Sequence, residues 1–199
     1  NISYLIKNKK LRVESLLELL EGVKLDLDAP SIKQKQDLIN YSYLVAGSVG
    51  VMMSSILGCK DKYGYNYAID LGIAMQLTNI ARDILEDAKM GRVYIPSSWI
   101  NIKCKDITKP TPKNIADLKV ATSKLIDLSE KYYESAMHGL GFLPFRARYA
   151  ILIALKVYRH IGIKILKNDF SNINCRERVN PIEKIFCLIQ CTFMFFTCP

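Results

Sequence analysis

Residues 74–96 read AMQLTNIARDILEDAKMGRVYIP, and this stretch constrains the chain more than any other. On a helix, Asn79, Asp83 and Asp87 are each four apart and lie nearly above one another. Gln76, seven residues before Asp83, joins the same stripe. The positions around them are apolar: Ile69, Leu71, Ile73, Met75, Leu77, Ile80, Ile84 and Leu85. A helix that must be buried therefore carries carboxylates along one side. Such groups repel one another and cost several kcal/mol unless something cationic sits between them. A hard cation with oxygen ligands answers that need, and Mg²⁺ typically takes one or two protein carboxylates plus substrate phosphates. Arg82, Lys89 and Arg92 add positive charge of the kind a diphosphate would require. The same spacing also suits a solvated face on which Asp83 and Glu86 pair with nearby Lys or Arg.

Elsewhere the pattern is helical, with no strand-period alternation, repeat or low-complexity tract. Helices are expected over 11–21, stopped by Gly22, over 31–57 ending at Gly58, and over 65–89 closed by Gly91. A Pro- and Lys-rich loop at 95–112 carries Trp99, the single tryptophan. Two long helices fit 113–138 and 144–167, broken by Gly139, Gly141 and Pro144, and a last one fits 181–196 behind Pro181. All 199 residues read as one all-α helical bundle.

Lys and Arg number 28 against 19 Asp and Glu, a formal charge of +9. That excess suits an anionic partner: nucleic acid, an anionic membrane surface or a phosphorylated metabolite. The basic residues are spread out and no aromatic-interleaved block occurs, so nucleic acid is not expected. Six cysteines, with no Cys-x-x-Cys pair and only His138 and His160 as histidines, argue against zinc and for reduced thiols. No signal peptide opens the sequence, and a cytoplasmic setting is expected. The apolar run from Ile185 to Cys198 is too short to span a bilayer of about 30 Å as a helix. It reads either as a buried last helix or as an interfacial foot on a membrane.

Three segments resemble one known family. The string N-x-x-R-D-x-x-E-D followed by G-R-V-Y-x-P, within Gln76 to Pro96, is similar to the second aspartate-rich motif of squalene and phytoene synthases. YSYLVAGSVGVMM at 41–53 resembles that family's tyrosine-containing segment. GLGFLPFRARYAILIALKVYRHIG at 139–162 is similar to a C-terminal helix of bacterial phytoene synthases. The resemblance covers nearly all of 14–180 and implies an isoprenoid-synthase-type helical bundle around a central cavity. It implies a prenyltransferase that condenses two geranylgeranyl diphosphates head-to-head to phytoene, at the periphery of a membrane. Asp83, Asp87 and Asn79 would be ligands of Mg²⁺, or of Mn²⁺ in its place, with Gln76 lining the same site. Arg82 and Arg92 would contact diphosphate, Tyr41 would face the reacting carbons, and Tyr94 would sit by the pocket mouth.

Tyr41, Val45 and Val49 share a helical stripe, and Ala46, Gly47 and Gly50 would leave room for a prenyl tail. Those small residues suit tight helix–helix packing equally well. The alternative implied is a squalene or dehydrosqualene synthase acting on farnesyl diphosphate, with NADPH added only in the squalene case.

The resemblance has gaps. Nothing before Tyr41 matches the family's earlier aspartate-rich motif. Asp26 and Asp28 stand beside Pro30, while Glu14, Glu18 and Glu21 lie on a surface-like helix. The chain is thus expected to be N-terminally incomplete, to rely on a partner chain for the missing helices, or to be a degenerate copy. An open apolar groove lined by Val45, Val49 and Leu77 is expected on that side. Phe170 replaces a tyrosine common in relatives, and the tail after Lys184 does not match. Two readings from other classes are a non-catalytic relative serving in assembly and a basic adaptor on a membrane surface.

Overall fold

The computed structural model describes residues 6, 11–27, 30–59, 61–168 and 176–197, and every regular element among them is helical. In chain order these are α1 (Val13–Leu27), α2 (Lys35–Ser42), a π-helical segment (Tyr43–Gly47) and α3 (Ser48–Ile56). Then come α4 (Gly64–Arg82), α5 (Ile84–Lys89), α6 (Cys104–Thr108), α7 (Pro112–His138), a 3₁₀ turn (Gly139–Phe142), α8 (Phe145–Lys167) and α9 (Pro181–Thr197).

α4 is the central helix and packs against α7, α3, α8 and the π-helical segment. Its Ile73, Leu77, Ile80 and Ala81 are buried and meet Leu118, Leu125 and Ile126 of α7 in the main core, while buried Ala74 packs with Tyr133, Ala136 and Leu155 in a second cluster. Each fully buried Leu or Ile contributes about 2 kcal/mol relative to exposure. Thr78 sits fully buried because its hydroxyl donates to the Ala74 carbonyl at 2.9 Å and pairs with the Tyr133 hydroxyl at 3.0 Å. α7 starts where a capping box allows it: the Asn114 N–H donates to Thr111 Oγ1, the Thr111 N–H donates to Asn114 Oδ1, and Pro112 occupies the first turn.

Two glycines fix the approach to α4. A Cβ on Gly50 would lie 2.2 Å from the Ala68 carbonyl oxygen, and one on Gly72 would lie 2.3 Å from that of Ala46. The two backbones touch where side chains would hold them apart. Gly47 is also filled by its neighbours, with Ile69 and Tyr43 against it. These glycines therefore serve close packing, and Gly50 and Gly72 also line an apolar cavity.

Several expected boundaries move. α1 continues through Gly22, which is buried against Leu44 and Val45, as far as Leu27. Glycine weakens a helix but does not end one whose face is packed. The single helix expected over 31–57 is α2, the π-helical segment and α3, starting only at Lys35. The one expected over 65–89 breaks at Asp83, whose φ of −105° and ψ of 15° separate α4 from α5. The loop at 95–112 contains α6.

Candidate active site: a polar pocket joined to an apolar cavity

The break at Asp83 does not scatter the polar stripe. The Asp83 N–H still reaches the Asn79 carbonyl at 2.9 Å, and the Asp87 N–H reaches the Asp83 carbonyl at 2.8 Å. Gln76, Asn79, Asp83 and Asp87 therefore line one pocket of about 260 Å³, together with Asp26, Tyr41, Ile80, Arg82 and Tyr94. The carboxylates face this pocket and not the outer surface, as a buried metal- or phosphate-handling stripe requires.

The two aspartates differ in environment. Asp83 is gripped by two guanidinium groups. Arg82 donates through Nε at 2.8 Å and Nη2 at 2.6 Å, and Arg176 through Nε at 2.9 Å and Nη2 at 3.1 Å. Arg176 also lies 3.7 Å from Glu86. The ion pairing expected of a solvated face is thus real for Asp83, but its side chain is only 16 % exposed. Asp87 is raised to about 7, first by burial and then by the charge of Asp83, with Arg92 opposing the shift. In the same pocket, Asn79 Oδ1 is buried without a hydrogen-bond partner, and Asn79 Nδ2 makes only a 3.5 Å contact with Gln76 Oε1. A pocket lined by a raised carboxyl and an unpaired amide oxygen is a place that favours a cation. Among the described residues, no three His, Cys, Asp or Glu side chains converge on one point. Any ion here would need oxygens from its ligand as well.

Opposite these groups stands Asp26, which sequence reasoning left in a loop. Its Oδ1 accepts from the Tyr41 hydroxyl at 2.8 Å and from the Tyr94 hydroxyl at 2.9 Å. The two rings stack at 4.9 Å between centroids and 21° between planes. Burial is the main cause that raises both phenols, so they stay protonated at ordinary pH. Asp26 was findable: it lies four residues after the buried Gly22, on the same face of a helix that does not stop there. Arg176, contributed from the segment before α9, carried no signal in its own neighbourhood.

A second space adjoins the first. It has a volume of about 370 Å³, is partly open, and is lined by Val45, Val49, Gly50, Met53, Leu71 and Met75 among mainly apolar neighbours. Gln76 and Asn79 line both spaces and form the wall between them. Three expectations need correction here. Leu77 is fully buried in the main core and does not line the cavity. Tyr41 lines the polar pocket, while Val45 and Val49 line the apolar cavity, so the three do not meet in one space. Tyr94 is a buried wall of the polar pocket and does not sit at a mouth.

Arg92 lines a separate small recess with Asp87, Val93 and Tyr94, behind the polar pocket. Phe170 and Asp28 lie outside the described residues.

The squalene/phytoene synthase sequence family matches residues 2–182. A 15-cis-phytoene synthase of a Paracoccus species is 42 % identical over 169 residues, covering 85 % of this chain and 55 % of the relative. One from Pantoea ananas is 39 % identical over 171 residues, again covering 85 % and 55 %. The chain spans about half the length of the curated relatives it matches. Among solved structures, a dehydrosqualene synthase with bound ligand superposes with a TM-score of 0.79 at 26 % identity, covering 94 % of this chain and 66 % of that one. A squalene synthase from Alicyclobacillus acidocaldarius, with a TM-score of 0.71 at 22 % identity over 86 % and 64 % of the two chains, shares the fold.

Proposed function

Since the chain belongs to the squalene/phytoene synthase family, we propose that it forms the diphosphate- and tail-holding part of a prenyltransferase that joins two geranylgeranyl diphosphates to phytoene. One observation carries this reading. Gln76 and Asn79 are shared by a carboxylate- and arginine-lined pocket and an apolar cavity, the two environments that one amphipathic prenyl diphosphate needs. The phytoene product is favoured because relatives of that name reach 42 % and 39 % identity. The alternative, dehydrosqualene or squalene formation from farnesyl diphosphate, rests on the more distant likeness to a dehydrosqualene synthase, and NADPH would enter only in the squalene case.

A divalent cation is the cofactor class that goes with this family, and the residues present fit Mg²⁺, with Mn²⁺ as the substitute. Asp87, Asn79 and Asp83 would hold it together with substrate oxygens, since Asn79 Oδ1 is unpaired and Asp87 is destabilised as an anion by burial. When bound, the ion supplies stabilisation of charge on the departing diphosphate.

The chain's own residues do the remainder. Arg82, and Arg176 where it reaches Asp83, bring guanidinium groups to the same charge. Val45, Val49 and Met53 keep water from the allylic carbons. Asp26 holds the hydroxyl protons of Tyr41 and Tyr94 and so fixes their stacked rings against the pocket. Turnover is proposed to require further helices. The exposed apolar side of α1, with Leu17 at 60 %, Leu20 at 56 % and Leu27 at 78 % exposure, is a surface that such helices would cover.

The test is calorimetric titration of residues 1–199 with inorganic diphosphate. Binding is expected only with Mg²⁺ present and is expected to vanish in Asp83→Ala. Metal-independent binding, or binding untouched by that substitution, would overturn the site. Phytoene from geranylgeranyl diphosphate is expected only when the additional helices are supplied, and robust turnover without them would refute that requirement.

A further inference from the structure

Arg176 reaches the polar pocket from an irregular stretch, residues 176–180, that leads into α9. An arginine there has backbone as well as side-chain freedom to lose before it can hold an anion. Its guanidinium is nevertheless placed on the break between α4 and α5. Nε stands 2.9 Å from Asp83 Oδ1 and 3.7 Å from Glu86, and Nη2 donates to Asp83 Oδ2 at 3.1 Å. Such placement needs a hold on the segment from outside the pocket.

The end of α8 supplies it. Lys164 Nζ donates to the Arg178 carbonyl at 2.7 Å and to Glu183 Oε2 at 3.1 Å, and stands 4.0 Å from Glu177 Oε2. An ammonium has three protons and no acceptor, and here three acceptors surround it. Asn168, just past the end of α8, donates to Glu177 Oε1. Glu183 ties the segment to α9 as well, because the Asn180 N–H donates to its Oε2 at 2.8 Å and its own N–H donates to Asn180 Oδ1 at 2.8 Å. Between these anchors Val179 is buried in the main core. The side chains of Lys164, Glu177 and Glu183 are only 21, 19 and 26 % exposed, so this cluster is shielded more than an ordinary surface ion pair.

We propose that Lys164 is a positioning residue: it fixes the 176–180 segment on α8 so that Arg176 stands at Asp83 and is pre-organised to meet a diphosphate. Lys164 is not among the residues lining the polar pocket. It acts through the Arg178 carbonyl, two residues from Arg176. Fixing the segment in advance lowers the ordering cost that binding would otherwise carry. The inference rests on the diphosphate reading of the pocket and adds to it a residue on a different helix.

The experiment is a double-mutant cycle on Mg²⁺-dependent binding of inorganic diphosphate by residues 1–199, read by calorimetric titration. The variants are Lys164→Met, Arg176→Met and the pair, since methionine keeps an apolar stem and removes the charge. Arg176→Met should weaken binding about tenfold or more, as charge-assisted hydrogen bonds are lost. Lys164→Met should weaken it on the order of threefold to tenfold, and the pair should bind no more weakly than Arg176→Met alone. A lysine that merely stabilised α9 would instead give independent, additive losses. In the ligand-free chain, tryptic cleavage after Arg176 or Arg178, followed by mass spectrometry, should speed up in Lys164→Met as the segment opens. If circular dichroism shows that Lys164→Met does not fold, Glu183→Gln replaces it in both measurements, because glutamine keeps the α9 cap while discharging the group Lys164 holds. Additive losses in the cycle, or unchanged cleavage, would overturn the proposal and leave the diphosphate site standing. Absence of diphosphate binding by the parent chain would overturn both.

Discussion

The polar pocket and the apolar cavity share a wall at Gln76 and Asn79, yet they are built by opposite means. The pocket gathers side chains from α1, α2, α4, α5 and the loop bearing Tyr94, and Tyr41, Tyr94, Arg82 and Asp83 are held there by directional bonds on Asp26 and Asp83. The cavity lies where α4 meets the π-helical segment and α3, whose spacing is set by the missing side chains of Gly50 and Gly72. One region is therefore sensitive to losing a polar atom, and the other to gaining a carbon. Substitutions should separate them.

The largest effect is expected from Gly72→Val, which forces side-chain carbons against the Ala46 carbonyl. Overpacking against backbone should cost about 3 kcal/mol or more, a fall in melting temperature of about 10 °C. Because the contact also sets the shared wall, both diphosphate and tail binding should weaken. A stable Gly72→Val variant would show that the glycine contact does not set the cavity.

Val49→Trp should fill much of the cavity while leaving the carboxylates alone. Affinity for a prenyl diphosphate should fall about tenfold or more, as a tail loses several buried methylenes. Mg²⁺-dependent binding of inorganic diphosphate should persist. Equal loss of both in titration would mean that the two regions are not separable.

A smaller contrast comes from pH. Asp87 is raised from 3.8 to about 7 in the fold, so the folded chain holds a proton that the unfolded chain releases. Below the unfolded value this group does not affect stability. As pH rises from about 4 to about 7 ionisation of this group in the unfolded chain progressively lowers the stability of the metal-free fold, and above about 7 the full penalty remains as a buried charge. Melting should therefore occur at lower temperature at about pH 8 than at about pH 5, and Asp87→Asn should flatten that slope. Mg²⁺-dependent diphosphate binding should strengthen over the same window, as Asp87 becomes a ligand. A parent profile identical to that of Asp87→Asn would contradict the buried carboxyl.

The smallest change is Tyr94→Phe. It removes one of two hydrogen bonds on Asp26 and keeps the stacked ring, so about 1 kcal/mol should be lost in denaturant unfolding. A loss several times larger would mean that the Asp26 bridge organises more than the tyrosine pair.

How far each feature could be read in advance follows from how local it is. The all-α class, the long α7 and α8, and the Asn79–Asp83–Asp87 set are written in residues three, four and seven apart, so periodicity exposes them. The resemblance in 41–53 and 76–96 likewise rests on contiguous strings. Asp26 was missed because a propensity rule ended α1 at Gly22, whereas Leu44 and Val45 pack against that glycine and carry the helix onward. The π-helical segment was missed because one altered hydrogen-bond register leaves the hydrophobic pattern almost unchanged.

By itself the sequence determined that a buried helix would carry a stripe of oxygen-bearing side chains, because that stripe is set by the helix's own repeat. Tertiary structure alone decided what surrounds it. Asp26 and Arg176 reach the pocket across 57 and 93 residues from Asp83, and no local pattern encodes so long a separation. It also decided that Gly50 and Gly72 bring two backbones into touch at the edge of a cavity, since only the neighbouring backbone tells what an absent side chain makes room for.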